Sequence, residues 1–402
     1  MNALELFAGA GGLALGVSRA GFEHVAVVEW DKHACDSIRA NKSSGLDHVR
    51  DWPIVQNDVR HLTFSDYGQD IDLLAGGVPC QPWSLGGKHA GQNDDRNLFP
   101  EMMRAVRETQ PKAVLVENVK GLLRESFATY FEYITLGLSY PEVTQKNGED
   151  WQTHLRRIER HHTSGSEKGL RYKTTFRLLN AADYGCPQKR ERVFIVAFRA
   201  DLASEWCFPQ PTHSLQSLLR SQWVTGEYWD RHKVTKRSRP TQSPRQVSQL
   251  VNSDLFSINC SPWKTVRDAL QGLPNPKTTP ESEWKNHILV PGARSYAGHT
   301  GSLLDEPAKT LKAGDHGVPG GENTLCLRDG NVRYFTVREA ARLQSFPDDY
   351  IFPVSWTESM RQLGNAVPVR MAEILAMNIG KHIFMHHAKT GNASPSKYNQ
   401  AV

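Results

Sequence analysis

The chain has 402 residues, 39% of them hydrophobic, and a formal net charge of +5, which predicts a soluble globular protein with two domains of ordinary size. No stretch holds the roughly 18 consecutive apolar residues that a membrane span needs. The first residues run directly into a strand-like pattern, which leaves no room for a signal peptide. The six cysteines are widely spaced, with no Cys-x-x-Cys pair, so neither disulfides nor a bound metal are predicted. These totals predict a cytoplasmic protein.

Positive charge is concentrated in one part of the chain. Residues 151–250 carry 18 Lys or Arg against 8 Asp or Glu. Because Lys and Arg neutralise phosphates in most sequence-independent binding of nucleic acids, this segment is a candidate polyanion-binding surface. A solvated basic surface without a partner is the alternative that composition leaves open.

The first 120 residues alternate short apolar runs with helical patterns. Strands are predicted at residues 4–8, 24–30, 71–76 and 113–117 and just before Asp58, and helices at 13–20, 31–41 and 96–109. This alternation predicts an α/β fold with a doubly wound parallel sheet. Two further strands, at 172–179 and 193–198, predict an antiparallel hairpin at the edge, so that the complete sheet is mixed.

The rest of the chain is less regular. Residues 124–170 are predicted to be an insertion with a helix at 151–160, and residues 200–335 lack long helical periods. Thr336 to Glu339 has the form of a capping box ahead of a short helix. The predicted domains are a large one at 1–199, a smaller and mostly β one at 200–352, a return to the large domain with a closing helix at 353–387, and a flexible tail at 388–402.

Polar and reactive residues follow successive predicted strands. They are Phe7-Ala8-Gly9, Glu29-Trp30, Asp58, Pro79-Cys80 and Glu117-Asn118. Because parallel strands point the same way, their carboxyl ends meet at one edge of the sheet, where ligands bind. The sequence therefore predicts a single crevice lined by all five groups.

The first strand end carries a glycine-rich loop at residues 7–12. Glu29 comes 20 residues after Gly9, the position from which an acid binds ribose hydroxyls in dinucleotide-binding proteins, and Ala14 stands where their third glycine or alanine falls. NAD therefore stays open as a ligand. Trp30, next to the acid, is either a platform on which adenine stacks or a core aromatic.

Cys80 and Glu117 are the candidate chemical groups. A free cysteine is more often a small buried hydrophobe than a nucleophile, but Pro79, Gln81 and the glycines that follow are typical of a loop with a function. A carboxyl group at the end of an apolar strand is suited to general acid catalysis, and a helix-capping role is the alternative.

These residues resemble the motifs of one family, the DNA (cytosine-5)-methyltransferases of bacterial restriction-modification systems. Residues 7–12 resemble its S-adenosylmethionine loop, Pro79-Cys80-Gln81 its nucleophile loop, and Glu117-Asn118-Val119 its catalytic glutamate motif. Further matches in family order are Gln188-Lys189-Arg190-Glu191-Arg192, the run from Arg338 to Pro347, and Gln362-Leu363-Gly364-Asn365-Ala366-Val367-Pro368. The resemblance covers nearly the whole chain outside about 124–170 and 200–330.

The resemblance implies a role for each matched residue. Cys80 is implied to attack carbon 6 of a cytosine, Glu117 to hold or protonate ring nitrogen 3, and Arg192 to contact the base carbonyl or its phosphate, with Gln81 and Arg190 as further catalytic residues. The methyl donor S-adenosylmethionine is implied to contact Phe7, Ala8, Gly9, Gly11, Glu29, Trp30, Asp58, Val59, Pro79, Leu98 and Asn365. DNA contacts are implied for Ser84, Arg190 and Arg192.

The implied partner is double-stranded DNA, read by a target-recognition region within residues 200–335, and the target base must leave the stack. The implied protein is a monomer at the bacterial nucleoid in the cytoplasm. A cognate restriction endonuclease is expected to form no stable complex with it. The resemblance implies no metal.

Three alternatives remain open from the sequence. An RNA methyltransferase of the same family has a similar nucleophile loop but a short recognition region, whereas about 130 residues separate Arg199 from Arg338 here. A catalytically inactive DNA-binding protein would have lost Cys80, Glu117 or the glycine loop. An NAD-dependent oxidoreductase would have no role for Cys80 or for the Gln-x-Arg-x-Arg motif.

Overall fold

The computed structural model describes residues 1–68, 70–79, 97–165, 168–202, 205–240, 260–295, 300–313, 323–327 and 329–389. Cys80, Gln81 and Ser84 lie outside the described residues, as do residues 390–402 of the predicted tail at 388–402. The chain divides into two compact units. The first comprises Met1–Leu179, Glu191–Pro209 and Ala372–Val402, and the second comprises Asn180–Arg190 and Gln210–Met371.

A seven-stranded sheet lies almost entirely in the first unit. Its strands are β1 (Asn2–Leu6), β2 (Glu23–Glu29), β3 (Ile54–Gln56), β4 (Leu73–Gly77), β5 (Ala113–Val119), β6 (Tyr172–Asn180) and β7 (Glu191–Arg199). The strand order is β3-β2-β1-β4-β5-β7-β6. Strands β1 to β5 pair in parallel, and β7 pairs antiparallel with β5. The predicted mixed α/β sheet is therefore confirmed.

Helices connect these strands and cover the sheet. They are α1 (Gly12–Arg19), α2 (Lys32–Ser43), α3 (Phe99–Thr109), α4 (Ala128–Ser139) and α5 (Trp151–Thr163). Helix α2 begins at Asp31, whose carboxylate accepts a hydrogen bond from Ala34 N at 2.9 Å. Helix α3 has Pro100 in its first turn, where the missing N–H costs nothing. Covered strands such as β4 and β5 need apolar residues on both faces, which explains their continuous apolar runs.

The predicted insertion belongs to the main core of the first unit. Helix α4, which periodicity did not predict, buries Ile134, and helix α5 buries Ile158 in the same cluster as Met102 of α3 and Ile195 of β7. The segment that was predicted as an insertion within the large domain is thus part of the hydrophobic core of the first unit.

The second unit contains more helix than its composition predicts. Its described elements are the short strands β8 (His213–Ser214), β9 (Ser261–Pro262), β10 (Thr324–Cys326) and β11 (Val332–Tyr334), and the helices α6 (Leu215–Trp223), α7 (Glu227–Arg231), α8 (Val266–Leu270), α9 (Val337–Leu343) and α10 (Trp356–Asn365). Helix α11 (Val369–Lys389) starts in this unit and continues into the first. Helices of one to three turns are too short to show a clear hydrophobic period, so their caps are the better signal. Thr336 and Glu339 do form the predicted capping box of α9.

Part of the second unit has its own aromatic core. Tyr228 and Trp229 of α7 are almost completely buried and pack with Leu218 and Trp263. Within the part of the chain that the structure describes, no helix has the length and apolarity to span a membrane.

Candidate active site

The carboxyl ends of β1 to β5 lie at one edge of the sheet, as the sequence predicts. The register pairs Leu6 with Gly76, Glu29 with Gln56 and Gly77 with Glu117. The strand order reverses between β1 and β4, and open α/β sheets bind ligands at such a point. Five strand ends of the first unit therefore deliver their side chains to the same place.

The glycine loop after β1 has an unusual backbone. Phe7 (φ 57°), Gly9 (φ 54°) and Gly11 (φ 78°) all lie in the left-handed region. A bulky aromatic residue rarely adopts this conformation, and such strain is concentrated at functional sites. Gly9 has no heavy atom of the described residues near the position of a Cβ, so its conformation rather than crowding requires glycine. Helix α1 begins directly after this loop.

Glu29 holds the glycine loop in place. Its Oε2 accepts a hydrogen bond from Gly9 N at 2.7 Å, and its Oε1 accepts from Trp30 N at 2.9 Å and Asp31 N at 2.8 Å. Burial raises the pKa of this carboxyl group, and the backbone N–H donors oppose that shift. A carboxylate has about four acceptor positions, so Glu29 keeps capacity for a ligand hydroxyl.

Trp30 is 71% exposed at the end of β2. Its exposure excludes the core alternative for this residue. An adenosine group needs a surface for stacking, acceptors for its hydroxyls and close approach of the backbone. The exposed indole of Trp30, the buried carboxylate of Glu29 and the glycine loop supply these three features. The residues present in the first unit therefore fit S-adenosylmethionine.

Three further predicted cofactor contacts lie at the same edge or next to it. Asp58 caps the turn after β3 and forms an ion pair with Arg60 at 2.6 Å, which holds the pKa of its carboxyl group below the ordinary value. Val59 is buried in the core, where its carbonyl accepts from Arg104 at 2.8 Å. Leu98 caps the start of α3 and is partly buried against the core.

Glu117 and Arg192 form a buried ion pair across neighbouring strands. Arg192 Nε lies 2.9 Å from Glu117 Oε1, and the two side chains are 14% and 9% exposed. Burial lowers the pKa of the Arg192 guanidinium, and the Glu117 carboxylate opposes this effect. The sequence singled out both residues without predicting that they pair. The structure thus brings the candidate acid and the candidate base-contacting arginine together.

Asn118 joins the Glu117 strand to the strand that leads to Cys80. Its Nδ2 donates to Val78 O at 3.1 Å, and its Oδ1 accepts from Val119 N at 2.8 Å. Val78 is buried and Pro79 half-buried at the end of β4. Asn118 is part of the Glu117-Asn118-Val119 motif, but the sequence predicts no role for its side chain. A side-chain amide directly after a strand-end acid is the signal from which a hydrogen bond to the neighbouring strand could be inferred.

Arg190 has a structural role in the second unit. Its guanidinium is buried and donates to the carbonyls of Leu311 at 3.1 Å, Gly364 at 2.8 Å and Ala366 at 2.9 Å, all within the second unit. Gln188 is likewise buried, and its Oε1 accepts from Leu311 N at 3.0 Å. Arg190 therefore stabilises the Gln362–Pro368 motif, and its predicted roles in catalysis and DNA contact stay predictions. Of the Gln-x-Arg-x-Arg motif, Arg192 alone lies beside the candidate acid.

Asn365 is exposed as the last residue of α10 in the second unit. The preceding Gly364 lies so close to the backbone of Lys312 and Ala313 that a Cβ could not fit there. The Gln362–Pro368 motif therefore needs glycine at residue 364 for packing within the second unit. The predicted contact of Asn365 with the cofactor stays a prediction.

Known proteins similar to this chain share the fold seen here. A putative DNA modification methyltransferase encoded within an Escherichia coli prophage aligns with a TM-score of 0.54 at 23% identity, covering 95% of this chain and 99% of the other. The S. pombe Dnmt2 methyltransferase aligns with a TM-score of 0.55 at 18% identity, again covering 95% and 99%. The fold is that of a methyltransferase.

Sequence relatives define the family more narrowly. The profile of the C-5 cytosine-specific DNA methylases matches residues 1–139 and 149–381. The type II methyltransferase M.NgoMIV of Neisseria gonorrhoeae is 33% identical over 389 residues, covering 94% of this chain and 97% of that protein. M.Eco47II of Escherichia coli is 33% identical over 394 residues, covering 94% and 78%. The chain therefore belongs to the C-5 cytosine-specific DNA methylase family.

Membership of this family implies DNA as substrate and S-adenosylmethionine as methyl donor. The profile also covers most of the predicted insertion, which agrees with the packing of α4 and α5 in the core. Among the residues that the structure describes, no group of three or more His, Cys, Asp or Glu side chains is placed to hold a metal.

Proposed function

We propose that this protein methylates carbon 5 of a flipped-out cytosine within a specific short sequence of duplex DNA, and so protects host DNA from a cognate restriction endonuclease. The buried Glu117–Arg192 pair beside the strand that leads to Cys80 carries the proposal. The names of the relatives support the biological setting, because M.NgoMIV and M.Eco47II are type II methyltransferases.

The proposed division of labour follows the two units. The first unit binds the cofactor and performs the chemistry, and the second contributes the target-recognition region. We expect a monomer in the bacterial cytoplasm that forms no stable complex with the endonuclease and contains no metal.

Residues of the first unit are proposed to bind the cofactor, which supplies the methyl group when bound. Trp30 stacks on the adenine, Glu29 accepts from the ribose hydroxyls, and the backbone of the loop at Gly9 and Gly11 approaches the methionine part. The hydrogen bond from Gly9 N to Glu29 fixes the backbone of the loop before the cofactor binds.

The chain's own groups are proposed to make cytosine reactive. The Cys80 thiolate attacks carbon 6, which forms a carbon–sulfur bond at the expense of the double bond between carbons 5 and 6 and places electron density on carbon 5. Once carbon 5 carries the methyl group, loss of its proton to a base restores the double bond and releases the thiolate. Glu117 holds or protonates ring nitrogen 3, so that negative charge does not build up on the ring. Arg192 orients Glu117 and contacts the base carbonyl, for which a guanidinium is well suited because it only donates.

Magnitudes rank these contributions. An unperturbed thiol is about one tenth ionised near pH 7.5, so complete ionisation would gain only about tenfold. General acid catalysis typically contributes ~10² to 10⁴. Glu117→Gln is therefore expected to lower kcat by ~10² to 10⁴, while its amide oxygen still accepts from Arg192.

The test is expression in a host without DNA methylation, followed by bisulfite sequencing, which reports activity, target sequence and methylated position together. The wild type is expected to methylate one cytosine per site, and Cys80→Ser to methylate none. The control is Cys207→Ser, since Cys207 is an exposed free cysteine of the same unit and should be dispensable. Methylation by Cys80→Ser at the wild-type level would refute the covalent mechanism.

A further inference from the structure

Three neighbouring strand ends of the first unit present Gly77, Glu117 and Arg192 in a row. The strands lie in the order β4-β5-β7, with Gly77 paired to Glu117 and Arg192 paired to Val119. Arg192 lies on the Oε1 side of the Glu117 carboxylate, at 2.9 Å. Gly77 lies on the Oε2 side, where a Cβ at residue 77 would be 3.5 Å from Oε2. The two oxygens of Glu117 therefore have different neighbours.

The two consecutive glycines at this strand end have different reasons to be glycine. A Cβ at Gly76 would lie 2.8 Å from Leu6 O and 2.8 Å from Met102 Cε, so packing excludes a side chain there. At Gly77, φ is not in the left-handed region, and the only heavy atom of the described residues within 4 Å is Glu117 Oε2, at an ordinary van der Waals distance. Neither backbone conformation nor packing among the described residues requires glycine at residue 77.

We propose that Gly77 is a specificity-determining position, whose missing side chain leaves room for the exocyclic amino group of the target cytosine beside Glu117 Oε2. The inference rests on the proposed function. It extends that function to a residue that affects base binding through the space it leaves beside the base edge. Gly77 is half-buried, whereas Gly76 is buried.

The row of residues matches one edge of cytosine in order. That edge carries the carbonyl at carbon 2, then ring nitrogen 3, then the amino group at carbon 4. Arg192 can only donate and so faces the carbonyl, and Glu117 faces nitrogen 3. The amino group then falls on the side of Glu117 away from Arg192, which is the side of Gly77. A methyl group at residue 77 would occupy that place.

The test compares Gly77→Ala with Gly76→Ala on two substrates. Both are duplex oligonucleotides that contain the target sequence found by bisulfite sequencing. One carries cytosine at the target position, and the other carries 2-pyrimidinone, which has hydrogen in place of the amino group. The readouts are the melting temperature, the affinity for S-adenosylmethionine, and the rate at which the protein forms a covalent complex with each oligonucleotide.

Gly77→Ala is expected to keep the melting temperature and cofactor affinity of the wild type and to lose about 100-fold in the rate with cytosine, the effect of a displacement of about 1 Å. With 2-pyrimidinone most of this loss should disappear, because the methyl group then has room. Gly76→Ala is expected to lower the melting temperature and to show no preference for 2-pyrimidinone.

Three results would overturn the inference. They are a Gly77→Ala protein as active on cytosine as the wild type, an equal loss on both substrates, and a loss of stability like that of Gly76→Ala. Failure of the proposed function has a different signature, because the wild type would then methylate no DNA and react with neither oligonucleotide.

Discussion

At the scale of single residues, the partner of a charged group decides its role. Arg190 and Arg192 are two positions apart, yet the first donates to three backbone carbonyls and the second pairs with Glu117. Glu29 likewise stabilises the glycine loop without a ligand, because its carboxylate accepts a hydrogen bond from Gly9 N. Trp30 is the opposite case, since its ring is largely in solvent and does little for the fold.

Trp30→Ala is expected to weaken cofactor binding while leaving the free protein folded. At about 100 times its Kd, a ligand adds about 2.7 kcal/mol to the free energy of unfolding, so S-adenosylmethionine should raise the Tm of the wild type. Loss of the stacking surface should reduce that rise, and Tm without ligand should change little because exposed positions tolerate substitution. Thermal melts with S-adenosylmethionine, with NAD and without ligand measure all three effects.

Phe176→Ala is the matched control, because Phe176 is an exposed aromatic of the same unit, 48% accessible, on strand β6. It should keep the full rise in Tm. A rise with NAD, or an undiminished rise in Trp30→Ala, would contradict the cofactor assignment of this strand end.

At the scale of elements, β1 and β2 contribute Glu5 and His24 to a buried polar cluster. Glu5 and His24 are both fully buried, with His24 Nε2 3.8 Å from Glu5 Oε2. Ser18 Oγ lies 3.0 Å from His24 Nδ1 and accepts from Trp52 Nε1 at 2.9 Å. Burial raises the pKa of Glu5 well above its ordinary value and lowers that of His24 to about 3, so burial favours the neutral form of each group.

This cluster predicts a pH dependence of stability with a definite sign. Because its pKa is raised in the folded state, Glu5 keeps its proton there while the unfolded chain loses it above about pH 4.5. The wild type should therefore lose stability as pH rises above this value, by up to about 1.4 kcal/mol per pH unit. His24 acts in the other direction, since its depressed pKa makes stability fall as pH drops from about 6.5 towards 3.

Glu5→Gln keeps the shape of the protonated carboxyl group and cannot ionise. Relative to the wild type, this variant should gain stability as pH rises above about 4.5, as measured by urea denaturation at each pH. The His24 contribution is common to both proteins and cancels in the difference. A difference that does not change with pH would show that Glu5 is not a buried neutral acid.

At the scale of the whole molecule, several of the basic side chains in residues 151–250 form ion pairs with acidic side chains of the protein itself. Arg157 pairs with Glu149 at 2.9 Å, Arg231 with Asp268 at 2.9 Å, and Arg239 with Asp230 at 3.3 Å. Lys236 and Arg237 are exposed, and within the described part of the chain neither has a carboxylate at ion-pair distance. Exposed basic residues of this part of the second unit without such a partner, Lys236 and Arg237 among them, are the better candidates for phosphate contact.

Replacing Lys236 and Arg237 with alanine together should weaken DNA binding and its dependence on salt. Each phosphate contact contributes about 0.9 to the slope of log K against log salt concentration on duplex DNA, so the slope should fall by about 2. Binding titrations between 50 and 200 mM salt measure it, a range over which ~6 to 10 contacts change affinity by ~10³ to 10⁵. Arg231→Ala, which removes an arginine already paired with Asp268, should leave the slope unchanged. An unchanged slope in the double variant would exclude the pair from the DNA interface.

The order of elements and the edge that carries the site could be predicted, because both depend on local patterns. Short apolar runs between helical periods identified the strands, and parallel pairing brings their ends together. The second unit was predicted less well, since helices such as α8, with five residues, are stabilised by the Thr265 capping box and long-range packing more than by periodicity.

Residue types and their spacing were sufficient to identify the family, the strand-end acids and the glycine loop, because each follows from residues close together in the chain. Which side chains contact one another was decided by the tertiary structure, because these contacts join residues that lie far apart in the sequence. Arg190 reaches Gly364, 174 positions away, and Arg192 reaches Glu117 across β7 and β5. The neighbours of Gly76 and Gly77 likewise come from other elements, and in sequence the two glycines are indistinguishable. Long-range packing therefore decides which arginine meets the acid and which glycine leaves room for a base.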